Sequence, residues 1–116
     1  MSTSDVTVMS LVTCTKREDV RASVIPFVRL ALCQLGLEHK RLPMTQNQIE
    51  WSVSGSGRVT VVLDRVGASC LIVIATRGLA PAICVSVAAA LCRDFEAHTL
   101  LCDGTHPVDR AAFARA

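Results

Sequence analysis

Ile49-Glu50-Trp51-Ser52-Val53-Ser54-Gly55-Ser56-Gly57-Arg58-Val59-Thr60-Val61-Val62-Leu63 is the stretch that decides the fold. Ile49, Trp51 and Val53 alternate with Glu50, Ser52 and Ser54, and Val59, Val61 and Leu63 resume the alternation beyond the glycines. A period of two sends successive side chains to opposite faces of a strand, so each run reads as a strand with one apolar face. Ser54-Gly55-Ser56-Gly57 reads as the hairpin turn between them, because glycine supplies the positive φ that a tight hairpin demands. Asp64-Arg65-Val66-Gly67 turns the chain again, and Cys70 to Ala75 is apolar throughout. That run predicts a third, central strand, covered on both sides or at least well buried. Trp51, Val61 and Val73 are expected to line the core face of the meander.

The pattern extends in both directions. Upstream, residues 6–14 alternate apolar and polar with β-branched enrichment and read as a strand. After the charged run Lys16-Arg17-Glu18-Asp19, Val20, Val24, Phe27, Val28, Ala31, Leu32 and Leu35 recur at three- and four-residue steps, the mark of one buried helix face. Asp19 or Ser23 is the expected cap. Pro26 leaves two readings: a helix that begins near Ser23, or one that kinks at the proline. Gly36 supplies a left-handed stop, and residues 38–48 form a polar connection. Downstream, Gly78 marks a boundary and Pro81 suits a first helical turn. Ile83, Val87, Ala90, Leu91 and Phe95 form a second helical stripe, to be buried lengthwise against the sheet. Residues His98 to Cys102 either continue that helix or form a short edge strand. The fold class is therefore α+β: one domain over 1–116 in the order β-α-β-β-β-α, two apolar helices on an antiparallel meander, with a core of about 5–95 and a C-terminal extension over 96–116.

Composition narrows the function. The chain has 116 residues, 51% hydrophobic and 19% charged, enough apolar matter for a core and too much for disorder. Twelve Lys and Arg stand against ten Asp and Glu, without the dense basic stripe of a nucleic-acid binder. Aromatics are limited to Trp51, Phe27, Phe95 and Phe113, too few for base-stacking platforms. The first ten residues lack a charged segment leading to an apolar one, and no apolar run approaches the ~20 residues that span a bilayer. The expectation is a cytoplasmic protein.

Chemistry is sparse. The six cysteines, at 14, 33, 70, 84, 92 and 102, form no CxxC pair and lie mostly in apolar runs, as small reduced core residues do. His98, Cys102 and His106 are spaced four and four, but Gly104 and Pro107 interrupt any helix that would hold them on one face, so no metal site is expected. Cys102 beside His98 or His106 is the one local thiol–base pairing, without a nucleophile elbow around it. Ser54-Gly55-Ser56-Gly57 joins two strands, whereas a phosphate-binding loop runs from strand into helix. Glu18 and Asp19 suit a helix start, and Glu50 the solvent side of a strand. No catalytic residue and no cofactor is expected.

The element order resembles the kinase-associated C-terminal domain of microtubule-affinity-regulating kinases and of the AMP-activated kinase catalytic subunit. The residues that carry the likeness are the strand Val6 to Cys14, the turn Lys16-Arg17-Glu18-Asp19, and the helix ending Cys33-Gln34-Leu35-Gly36-Leu37. Strands Gln48 to Ser54, Arg58 to Arg65 and Cys70 to Arg77, and the apolar helix Pro81 to Phe95, complete it. The resemblance implies a module without catalysis that binds acidic phospholipids, restrains a kinase domain or docks a partner subunit. A second likeness is to type III secretion chaperones, small dimeric proteins with a helix, three strands and a helix. Those are usually acidic, and strand Val6 to Cys14 has no counterpart in them.

The expected function is a non-catalytic regulatory module that docks a protein partner or an anionic membrane surface, with no nucleic acid and with a homodimer left open. The candidate binding residues are Lys16, Arg17 and Arg21 at the first helix, Lys40 and Arg41 after it, and Arg58, Arg65 and Arg77 at strand ends. An ordinary solvated rim is the alternative for all eight.

Overall fold

The computed structural model describes the backbone of residues 6–45, 47–95 and 98–102, with side chains for all of these except Arg17, Val66, Asp94 and 98–102. The elements are β1 (Val6–Thr13), α1 (Arg17–Gln34), β2 (His39–Arg41), β3 (Gln48–Val53), β4 (Gly57–Val66), β5 (Ser69–Arg77), α2 (Pro81–Asp94) and β6 (His98–Cys102). They form a six-stranded antiparallel sheet in the order β2-β3-β4-β5-β1-β6. The α+β meander with two helices is thus the fold, with β2 and β6 added at its edges.

Register explains the single core. Met9, Ile74, Val61 and Ile49 face one another across four strands, and Leu11, Ile72 and Leu63 form the next row. These side chains are buried, and so are their strand mates two residues away. Helix α2 packs this face against β1 and β5, and α1 packs it against β4 and β5 while touching α2. Phe27 and Phe95 join the helices edge to face, with ring centroids 5.1 Å apart. Val20, Val24, Val28, Ala31 and Leu32 form the buried stripe of α1. In α2, Cys84, Val87, Ala88, Leu91 and Cys92 are buried, with Ala89 and Ala90 nearly so, as expected of a helix enclosed lengthwise.

Several local expectations are corrected. Helix α1 begins at Arg17 with Lys16 as its cap residue, and no side chain caps it; neither Asp19 nor Ser23 does so. Pro26 lies within the helix on its exposed side, as does Ala22 four residues before it, so the carbonyl that Pro26 cannot satisfy faces water. Gly36 stops the helix as expected: at φ 72° its N–H bonds the Cys33 carbonyl while the Leu37 N–H reaches back to Leu32. Strand β4 runs on through Asp64 and Arg65 to Val66, so the turn contracts to Gly67-Ala68, with Gly67 at φ 62°. Val73 does not line the core. Residues Cys70, Ile72, Ile74 and Thr76 of β5 are the buried set, and a period of two puts Val73 on the opposite face. Cys33, read as part of an apolar pattern, is exposed on α1.

Gly57 and Thr13 are special within this layer. Gly57 is buried opposite Val53 at the mouth of the hairpin, and a Cβ there would come within 2.5 Å of the Leu79 side chain and 2.9 Å of the Val53 carbonyl. Thr13 is a buried hydroxyl that is satisfied. It donates to the Phe95 carbonyl at 3.0 Å and accepts from the Thr15 N–H at 3.2 Å, tying the end of β1 to the end of α2.

Candidate docking surface

The sheet has a second face, and among the described residues no helix covers it. It carries Val8, Ser10 and Val12 from β1, Thr60 and Val62 from β4, and Leu71, Val73 and Ala75 from β5, all half-buried. The Cys70–Ala75 run is apolar on both sides, and only one of those sides is packed against helices. The absence of alternation in β5 fits both alternatives given above, and the strand is the well-buried one: central in the sheet, with helices on one side only among the described residues.

The pairing register organises the rim of this open face. Lys40 lies opposite Ser52, Ser52 opposite Arg58, Arg58 opposite Arg77, and Arg77 opposite Val6. Directly paired residues share a face, so Lys40, Arg58 and Arg77 form one cationic row across three strand spacings, about 14 Å. All three are exposed. Glu50, in the next row, takes a bond from Arg58 Nη1 at 3.3 Å and one from the Thr60 hydroxyl at 3.3 Å. At the opposite end of β4, Asp64 is exposed on the same face, its Oδ1 accepting the Arg65 N–H at 2.8 Å. The open face is therefore largely aliphatic in the middle, cationic at one end, and carries the Asp64 carboxylate at the other.

The remaining basic candidates lie elsewhere. Lys16 and Arg65 converge with Glu18 and Ser69 on a cleft of about 360 Å³ at the start of α1. Arg65 pairs with Cys70 and so lies on the helix side of the sheet. Arg41, opposite Trp51, is also on the helix side, where it shares a cleft of about 340 Å³ with Arg29, His39 and Ile25. Lys40 and Arg41 are thus on opposite faces of β2. Arg21 is half-buried on α1. Arg17 lies in the first turn, its side chain outside the described residues.

The thiols and histidines assemble no reaction centre among the described residues, and no group of three or more His, Cys, Asp or Glu is placed to hold a metal there. Cys70, Cys84 and Cys92 are buried, and the Cys84 thiol is 3.6 Å from the Thr7 carbonyl and 3.7 Å from that of Ile74. Cys14 and Cys33 are exposed, and His39 Nδ1 bonds the Leu37 carbonyl at 3.0 Å. The backbone of His98–Cys102 is β6, an edge strand paired with β1, which settles the helix-or-strand alternative. The side chains of His98 and Cys102, and all of His106, lie outside the described residues. No described helix is long and apolar enough to cross a membrane.

Comparison with protein-family models finds no match, and comparison with curated proteins finds none. Among solved structures, the chain is similar to the vertebrate conserved region of human METTL16, at 11% identity over 77% of this chain and 94% of that one, with a TM-score of 0.47. At that identity and score, the likeness carries no functional argument.

Proposed function

We propose that this chain is a non-catalytic docking module that receives a protein partner on the open face of its sheet. The observation that supports this is the one-sided burial of the strands. Their helix side is closed, while a half-buried aliphatic patch lies between a cationic row and Asp64, with no helix over it among the described residues. Exposed apolar patches bounded by polar residues are characteristic of interaction sites. The aliphatic centre supplies burial, and Lys40, Arg58 and Arg77 orient the carboxylates of a partner without contributing most of the affinity. This is the class of role that the resemblance to kinase-associated domains implies.

Methyl chemical-shift mapping tests the reading. Titration with peptides that alternate carboxylates and aliphatic residues is expected to shift Val8, Val62 and Val73 together with amides beside Arg58 and Arg77. Shifts confined to the helix layer, or none, reject the face. Phosphatidylserine vesicles provide the competing outcome. Co-sedimentation with them at low salt, lost on K40E/R58E/R77E substitution, would assign the cationic row to a membrane instead.

A further inference from the structure

We infer that the partner on the open face is a second copy of this chain, packed sheet to sheet about a two-fold axis that lies between the sheets and runs across the strands. The inference rests on the docking reading above and names the occupant. The first ground is chemical. The centre of the face is built of Val, Ala, Leu and Thr, with Ser10 opposite Val73 and no aromatic among the described residues, and two such surfaces interdigitate at the ~10 Å separation of a β-sandwich. Strand β5 is apolar on both sides, as a strand in the middle of two cores is.

The second ground is charge, and it selects the orientation. Arg58, Thr60, Val62 and Asp64 alternate outward along β4, opposite in sign at the two ends and about 20 Å apart at strand rise. A two-fold axis parallel to the strands would stack the Lys40, Arg58 and Arg77 row on its own copy, like charge on like. An axis across the strands at the level of Val61 instead sets Arg58 over Asp64 of the second copy, and Asp64 over its Arg58. The same rotation lays Val73 on Ala75, Val62 on Thr60 and Ser10 on Val8, so the largely aliphatic centre closes on itself. An isologous contact of this kind needs only one surface, used twice.

Size predicts the strength. Four central strands make a patch roughly 20 Å on a side, which puts the total burial near the ~1,000 Å² floor of specific interfaces. The dimer is therefore expected to be concentration-dependent. Sedimentation equilibrium of the full chain, from low-micromolar to near-millimolar, should show a monomer–dimer transition. Val73→Lys, at a half-exposed site beside the axis, should abolish it while far-ultraviolet circular dichroism and the thermal midpoint stay close to those of the parent. Arg58→Asp and Asp64→Arg should each weaken association on the order of tenfold, and the R58D/D64R double substitution should recover it. In a mixed labelled sample, intermolecular contacts between Val73 methyls and Ala75 are expected. A monomeric mass throughout, a dimer that survives Val73→Lys, or a charge swap without recovery would overturn the inference. So would contacts from the Phe113 ring to Val62 and Val73 in a monomer, which would make the chain's own terminal segment the occupant. A monomer whose open face still responds to the peptides above would remove the second copy and keep the docking reading; a monomer that does not respond would remove both.

Discussion

The two faces of the sheet are cut from the same strands and carry similar residues, yet they are buried to different degrees. On β5, Cys70, Ile72, Ile74 and Thr76 are sealed beneath the helices, while Leu71, Val73 and Ala75 remain half-open. Side-chain chemistry alone does not separate the two sets. The difference lies in what is packed against them, and the energetic value of a buried side chain depends on how well its surroundings fill the space around it.

The sharpest test of that contrast is a pair of neighbours. Ile72→Ala should cost about 2–5 kcal/mol, because it opens a cavity under the helices. Val73→Ala, one residue on and facing out, should cost under about 1 kcal/mol in the monomer. Urea denaturation at low protein concentration measures both, and equal losses would erase the distinction between the faces. The covered face holds an internal contrast of its own. Thr13→Val removes the donor to the Phe95 carbonyl and should destabilise by about 1–3 kcal/mol. The Thr76 hydroxyl is buried without a partner, so Thr76→Val at the same layer should instead stabilise by roughly 1 kcal/mol. The smallest effect belongs to the open face. Arg58 and Glu50 are 49% and 27% exposed, and Glu50→Gln should shift stability by no more than about 0.5 kcal/mol, diminishing with added salt.

Much of the helix side was legible along the chain. Trp51 and Val61 belong to strands that alternate cleanly, so their burial follows from a period of two. Pro81 and Gly36 sit where proline starts and glycine stops a helix, and both do so here. Legibility failed where local signals were weak or divided. His39-Lys40-Arg41 is too short to show a period, and it is a strand because its backbone pairs with β3. Pro26 left the start of α1 open between Ser23 and an earlier residue with a kink at the proline; the helix begins at Arg17 with the proline inside it on the exposed side. The candidate site was half legible. The basic residues were all visible, but chain order does not say which face each takes, and a strand sends adjacent Lys40 and Arg41 to opposite sides.

Patterned periodicity was sufficient for the types of the longer elements and for the buried face of β3 and β4, because those properties depend on residues a few positions apart. It could not orient β5, whose two faces are equally apolar. It also could not bring Lys40, Arg58 and Arg77 into one row, since they are brought together by pairing register across four strands. Register is a long-range property, fixed only when turns, helices and strands close together on one core.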